Sequence, residues 1–211
     1  MDKTIQIDTF YRLSQVSRET ITSLKKYEEI LVKANKNLNL IGKSTINQIW
    51  LRHFLDSVQV IDFVDKNDKS LVDLGSGAGF PGVVLAIAAK DRKFNTKIKL
   101  IEKSIKKAKF LKELVNNICP EVEVINENVF VNSKKLSGDI FVARAFKPLK
   151  KILELMHNSA ENWKKIIIFL GKTGKNELHQ ASKIWDMEYK QRISVTSNDS
   201  LILEISKLKK K

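Results

Sequence analysis

The chain has 211 residues, and its 38 Lys and Arg against 24 Asp and Glu give a formal net charge of +14. Its 43% hydrophobic content is enough for a sizeable core, and the single cysteine, Cys119, excludes an internal disulfide framework. No apolar run approaches the about 18 residues of a membrane span, and MDKTIQID lacks the features of a signal peptide, so we expect a cytoplasmic protein without membrane contact.

Helical spacing dominates residues 1–69, which we predict to form a helical N-terminal extension. Between positions 9 and 34 apolar residues recur mostly at steps of three and four, namely at Phe10, Leu13, Val16, Leu24, Tyr27 and Leu31. The Asn-rich stretch 35–39 favours a turn. A second helix is predicted to start from a cap at Ser44 or Thr45 and to bury Ile49, Trp50, Phe54, Leu55, Val58 and Ile61.

Short apolar runs alternate with helical periods in residues 70–211. The predicted strands are 71–74, 98–101, 122–125, 140–143, 166–170, 192–196 and 201–206. The predicted helices lie at about 82–90, 104–117, 148–160 and 174–186. Strands separated by helices indicate an α/β fold with a mostly parallel sheet covered on both faces. Because the turn residues 197–200 contain no helix, the last two strands should form an antiparallel hairpin.

The positive charge is concentrated in this second part of the chain. Residues 1–69 hold 11 basic and 9 acidic residues, a net charge of +2, whereas residues 70–211 hold 27 and 15, a net charge of +12. A basic surface favours a nucleic-acid partner first and an anionic membrane second, and solvated surface lysines are the alternative interpretation.

A glycine-rich loop follows the first predicted strand, in the sequence Asp73-Leu74-Gly75-Ser76-Gly77-Ala78-Gly79-Phe80-Pro81-Gly82. Glycine permits positive φ and lets a ligand approach the backbone, and the next helix start offers free N–H groups. Four glycines within eight residues therefore predict a binding loop rather than a tight turn alone. The absence of Gly-Lys-Ser/Thr excludes a nucleoside triphosphate loop.

Two ligands are compatible with this loop. Gly77, Gly79 and Gly82 fit the dinucleotide pattern, so an NAD-dependent oxidoreductase is one alternative. However, Gly75 directly follows the strand and Asp73 lies within it, which resembles the first motif of S-adenosylmethionine-dependent methyltransferases. Glu102 ends the second strand, where a carboxylate can accept hydrogen bonds from ribose hydroxyls or, alternatively, cap the next helix. We favour the ribose role.

Three more segments extend the resemblance, namely Asn37-Leu38-Asn39, Arg52-His53-Phe54-Leu55-Asp56-Ser57 and Ala143-Arg144-Ala145-Phe146. With the glycine loop, and in this order, they resemble the bacterial small-subunit ribosomal RNA (guanine-N7) methyltransferase family, formerly called glucose-inhibited division protein B. The resemblance runs from about residue 10 to the end. It implies a Rossmann-like class I methyltransferase domain over residues 70–211, which moves a methyl group from S-adenosyl-L-methionine to a guanine N7 in the decoding-region loop of 16S RNA.

The resemblance also implies a set of site residues. To the glycine loop and Glu102 it adds Val129, Phe130 and Arg144. The full set of predicted cofactor contacts is Gly75, Gly77, Gly79, Phe80, Glu102, Val129, Phe130 and Arg144. Independently of the resemblance, the lysines that follow the strand ends predict a basic surface for RNA around the pocket. The full set of predicted RNA contacts is Asn37, His53, Lys106, Lys107, Arg144, Lys147 and Lys172. The family usually carries Arg in place of Asn128 and Lys in place of Leu170, so two cationic contacts are absent here or replaced by neighbours such as Lys172.

The chemistry predicts no general base and no metal. Guanine N7 offers a lone pair and has no proton to lose, so holding the reacting atoms in line can be sufficient. We assign Arg144 to the cofactor carboxylate or to an RNA phosphate. His53 and Asp56, three residues apart on the predicted second helix, form either a catalytic couple or, as we favour, a structural or RNA-positioning pair. A monomer acting on 16S RNA or the small subunit is expected, and a non-enzymatic RNA-binding protein on a methyltransferase fold is a further alternative.

Overall fold

The computed structural model describes residues 2–131 and 135–211. Its main sheet contains the strands β1 (Ser70–Leu74), β2 (Lys97–Glu102), β3 (Glu123–Asn126), β5 (Ile140–Arg144), β7 (Lys165–Leu170), β8 (Trp185–Ser194) and β9 (Ser197–Lys210). They lie in the order β3-β2-β1-β5-β7-β9-β8. The first five are parallel, and β9 runs antiparallel to both β7 and β8. This confirms the predicted mostly parallel sheet with an antiparallel C-terminal pair. A short pair, β4 (Leu136–Ser137) and β6 (Ala160–Glu161), was not predicted.

The helices between the strands lie close to their predicted positions. They are α4 (Gly82–Asp91), α5 (Ile105–Ile118), α6 (Leu149–Ser159) and α7 (Gly174–Ile184). Successive strand residues point to opposite faces of the sheet, so Leu71 packs with the N-terminal helices, α4 and α5, whereas Val72 packs with α6 and α7. Two hydrophobic cores result, one on each face, as expected for a parallel sheet.

The hairpin turn is not at the predicted position. The structure turns at residues 195–196, and 197–200 already belong to β9. Contacts with the N-terminal region hold the observed turn, because the Asp56 carboxylate accepts hydrogen bonds from the hydroxyls of Ser194 and Thr196. The Gln59 side chain also accepts from the Val195 amide. Local turn propensity was therefore overridden by distant partners.

The N-terminal region also differs from its prediction. The single helix expected at 9–34 is two helices, α1 (Lys3–Ser14) and α2 (Arg18–Leu38), because Gln15 adopts a left-handed conformation and Ser17 caps α2. Leu13 is exposed rather than buried. The turn expected at 35–39 is reduced to Asn39, which ends α2.

The predicted second helix is irregular. It consists of a 3-10 segment (Lys43–Gln48), a π-helical turn (Trp50–Leu55) and the short α3 (Asp56–Val58), followed by a further 3-10 turn (Ile61–Phe63). Neither Ser44 nor Thr45 caps it, since Gly42 precedes the first segment. Its six predicted apolar residues are nevertheless buried, and they share one hydrophobic core with α4 and α5. The division of the chain near residue 69 stays a prediction. Within the described ranges, no helix is both long and apolar enough to cross a membrane.

Candidate active site

A pocket of about 700 Å³ opens at the carboxyl ends of β1, β2, β3 and β5. This volume lies within the about 300–1,000 Å³ typical of small-molecule sites. Its walls are the glycine loop after β1, Glu102, residues 127–130 after β3, and residues 144–147 after β5. Residues 40–42 and His53 close it from the N-terminal region. Open parallel sheets bind their ligands at this edge.

The pocket brings together most of the predicted site residues. Those that line it are Gly75, Gly77, Phe80, Glu102, Val129, Phe130, Arg144, His53, Lys107 and Lys147. Four predicted residues do not belong to its lining, namely Gly79, Asn37, Lys106 and Lys172. Gly79 faces α2, whereas the other three are surface residues. Asn128 also lines the pocket, and Leu170 is buried in the core.

The glycines of the loop serve protein packing as well as ligand access. A Cβ at Gly75 would lie 2.2 Å from a ring carbon of Phe146, and one at Gly79 would lie 2.5 Å from the Tyr27 hydroxyl oxygen. At Gly77 the nearest atom would be 3.7 Å away, so Gly77 is where a ligand can approach the backbone most closely. The sequence does not identify Phe146 and Tyr27 as the neighbours of Gly75 and Gly79, because a glycine pattern does not reveal which side chain it accommodates.

The Glu102 carboxylate contacts both the glycine loop and the segment before α5. One carboxylate oxygen accepts from the Gly77 amide at 3.0 Å, and the other accepts from the Ser104 amide at 2.7 Å, just before α5. Each oxygen retains a second lone pair. Glu102 therefore ties the glycine loop to the end of β2 and can still accept hydrogen bonds from a ribose in the pocket.

Asp73 occupies the N-terminus of α4. Its carboxyl accepts from the Gly82 amide at 3.0 Å, and a Cβ at Gly82 would lie 2.6 Å from the same oxygen. Burial raises the pKa of Asp73 to about 7, against the lowering effect of hydrogen bonds from Ser76 and Gly82. A dinucleotide would place its pyrophosphate at this helix terminus. Because a protein carboxyl group already fills the position, the geometry disfavours NAD.

Arg144 is held by the N-terminal region. Its Nε lies 3.1 Å from an Asp56 carboxylate oxygen, and both side chains are mostly buried, at 15% and 14% exposure. The remaining guanidinium nitrogens donate to Ser57 Oγ at 3.1 Å, to the Arg52 carbonyl at 2.8 Å and to His53 Nδ1 at 3.1 Å. Four of its five N–H groups thus have protein acceptors. This arrangement leaves little of Arg144 for a ligand and makes it a link between the pocket and residues 52–57.

His53 is a neutral imidazole in this site. An arginine can only donate, so His53 Nδ1 accepts from Arg144, and Nε2 carries the proton and donates to Thr45 Oγ1 at 2.9 Å. Burial lowers the pKa of His53 to about 3, with smaller effects of Arg144 and Arg52. His53 and Asp56 both contact Arg144, and the ring of His53 stacks on Phe80 at 4.9 Å. These contacts support a structural rather than a general-base role.

Comparison with known proteins identifies the family that the sequence motifs resemble. Residues 20–204 match the family described as rRNA small subunit methyltransferase G. The chain belongs to this family. A ribosomal RNA small subunit methyltransferase G from Pelagibacter ubique is 38% identical over 198 residues, which are 93% of this chain and 92% of that protein. One from Rickettsia akari is 34% identical over 93% of this chain and 98% of that protein.

Solved structures show the same fold at low sequence identity. The O-methyltransferase from Bacillus cereus, in complex with SAH, has a TM-score of 0.57 and 14% identity, and the match covers 86% of this chain and 91% of that one. A TehB-like SAM-dependent methyltransferase from Corynebacterium glutamicum has a TM-score of 0.53 and 16% identity, covering 87% and 99%. This family member therefore has the class I methyltransferase fold.

The residues in the pocket fit S-adenosylmethionine as the cofactor of this methyltransferase. Glu102 offers carboxylate oxygens at the pocket that can accept hydrogen bonds from ribose hydroxyls, and Val129 with the half-exposed Phe130 forms an apolar wall that suits an adenine ring. The open backbone at Gly77 leaves room for the rest of the cofactor. No group of three or more His, Cys, Asp or Glu suited to a metal ion occurs among residues 2–131 and 135–211.

Proposed function

We propose that this protein transfers a methyl group from S-adenosyl-L-methionine to N7 of a guanine in the 16S RNA of the small ribosomal subunit. The pocket at the carboxyl ends of β1, β2 and β5 carries the proposal, because it combines an open glycine loop with Glu102 in a chain of this family. The cofactor supplies a methyl group activated by a sulfonium.

The chain's own residues need only bind, orient and exclude water. Guanine N7 attacks with a lone pair, so no side chain has to remove a proton. His53 fits this requirement, since its accepting nitrogen is occupied by Arg144 and its ring stays neutral near pH 7. Methylation leaves a positive charge on the guanine. Asp56 compensates the nearby charge of Arg144, so the cationic product does not meet an unpaired guanidinium.

Methyl transfer can be tested directly. We expect purified protein with labelled S-adenosylmethionine to place label in N7-methylguanine of 16S RNA, using small subunits from a strain that lacks this modification. Large subunits are the control and should stay unlabelled. Calorimetry should detect S-adenosylmethionine and not NAD. Absence of N7-methylguanine would overturn the proposal. Binding of NAD would favour an oxidoreductase. A protein that binds RNA but does not bind S-adenosylmethionine would favour a non-enzymatic RNA-binding role.

RNA contact is proposed at the lysines around the pocket. Lys107 and Lys147 line it, and Lys147 Nζ lies 5.9 Å from the ring centre of Phe130. Lys106, Lys172 and Asn37 lie farther out and would contact the RNA backbone only beyond the pocket. We further propose that the protein acts as a monomer in the cytoplasm, with residues 1–69 as a helical extension of the methyltransferase domain.

The double variant Lys107→Gln/Lys147→Gln tests this surface. Each lysine that no longer neutralises a phosphate should reduce the slope of log K against log salt by about 0.7–0.9, so the slope of the double variant should be smaller by about 1.5. Lys190→Gln is a matched control, because Lys190 lies on β8 at the opposite edge of the sheet from β3. Filter binding to small-subunit RNA between low and high salt gives both slopes. An unchanged slope in the double variant would contradict the assignment.

A further inference from the structure

Tyr27 connects the N-terminal helices to the cofactor loop. It lies on α2 and is fully buried. Its ring stacks on Phe80 at 5.4 Å with an interplanar angle of 19°, and Phe54 packs against it at 5.3 Å. Its hydroxyl donates to the Ala78 carbonyl at 2.7 Å. Since Ala78 and Phe80 both line the pocket, a residue 51 positions before Ala78 holds one of the pocket walls.

Gly79 is the complement of this contact. A Cβ at position 79 would lie 2.5 Å from the Tyr27 hydroxyl oxygen, and the residue has a φ of +102° that side chains rarely allow. The loop can therefore reach Tyr27 only because residue 79 is glycine. Burial raises the pKa of Tyr27 well above its ordinary value, so the hydroxyl keeps the proton that it donates.

The Ala78 carbonyl has no easy replacement for this donor. Ala78 is 5% exposed, which gives water little access. A buried carbonyl without a hydrogen-bond partner is costly, and the loop can avoid that cost only by changing conformation. Such a change would move the neighbouring Gly77, where the backbone is open to the pocket and bonded to Glu102.

We propose that Tyr27 is a positioning residue of the cofactor site. Its hydroxyl holds Ala78, and through it residues 77–80, in the conformation that receives the methyl donor. The inference rests on the proposed function, because it takes S-adenosylmethionine as the ligand of the pocket. Tyr27 does not itself line the pocket, so its effect falls on cofactor affinity and leaves the chemical step unaltered.

The test is Tyr27→Phe, which removes only the hydroxyl. Removal of one buried hydrogen bond to the loop should raise the Kd for S-adenosylmethionine about tenfold by calorimetry. At saturating cofactor, kcat and the KM for small subunits should stay within about twofold of wild type, a split that a general decrease in stability would not produce.

Trp50→Phe is the matched control. Trp50 lies in the same core, donates from Nε1 to Glu28 at 3.0 Å and packs its ring against Phe10 and Phe54. The variant therefore loses a buried hydrogen bond and part of a buried ring, but the bond that it loses does not go to the glycine loop. It should lower Tm and leave the Kd unchanged. An unchanged Kd in Tyr27→Phe, or an equal rise in Trp50→Phe, would overturn the inference. Failure of the wild-type protein to bind S-adenosylmethionine would instead overturn the proposed function.

Discussion

Arg144→Ala is expected to lower methylation of small subunits about a hundredfold and to destabilise the fold by about 3 kcal/mol. The substitution leaves the Asp56 carboxylate, at 14% exposure, without its cation. It also removes the donors to Ser57, to the Arg52 carbonyl and to His53. Because these contacts join the end of β5 to the N-terminal region, the two walls of the pocket should no longer keep their relative position.

Two further variants separate the loss of the Arg144 hydrogen bonds from the loss of a positive charge. Arg144→Lys keeps the charge, but a lysine ammonium cannot donate to all the acceptors that the planar guanidinium of Arg144 reaches. Activity should therefore fall while part of the stability is retained. Arg92→Ala removes a surface pair with Asp62, at 37% and 61% exposure, and should cost less than about 1 kcal/mol without loss of activity. Urea denaturation and single-turnover methylation measure both quantities. Wild-type methylation by Arg144→Ala would refute the positioning role.

Gly75→Ala is expected to raise the Kd for S-adenosylmethionine about a hundredfold. The added Cβ would lie 2.2 Å from the Phe146 ring, and the φ of +75° is unfavourable for alanine. The left-handed conformation costs about 1–2 kcal/mol and overpacking about 1–3 kcal/mol. A displaced Phe146 or a shifted loop can relieve the overlap, and either change alters the pocket wall.

Gly171→Ala provides the matched control for this variant. A Cβ at Gly171 would have no atom within 4 Å, and its φ lies outside the left-handed region. Calorimetry should therefore give a wild-type Kd for this variant. If Gly75→Ala bound S-adenosylmethionine as tightly as wild type, the predicted place of the loop in the cofactor site would be wrong.

Much of the fold could be read from local patterns. Short apolar runs between segments with helical spacing predicted the parallel sheet, because both patterns depend only on residues that are neighbours in the chain. The edges of elements were less predictable where distant side chains intervened. The hairpin turn lies at 195–196 instead of 197–200, since Asp56 and Gln59 bind it from the N-terminal region. The break between α1 and α2 depends on a local cap at Ser17, which the sequence pattern did not identify.

The candidate site divides in the same way. The glycine loop and Glu102 were recognisable from sequence because backbone access and a carboxylate at a strand end are local requirements. The partners of Arg144 and the bond from Tyr27 to Ala78 were not, because they join residues separated by 51 or more positions. Contacts of this kind exist only after the helices pack on the sheet. The chain by itself therefore specified the glycine loop and the kind of ligand that it suits, whereas folding determined which side chains hold that loop in place.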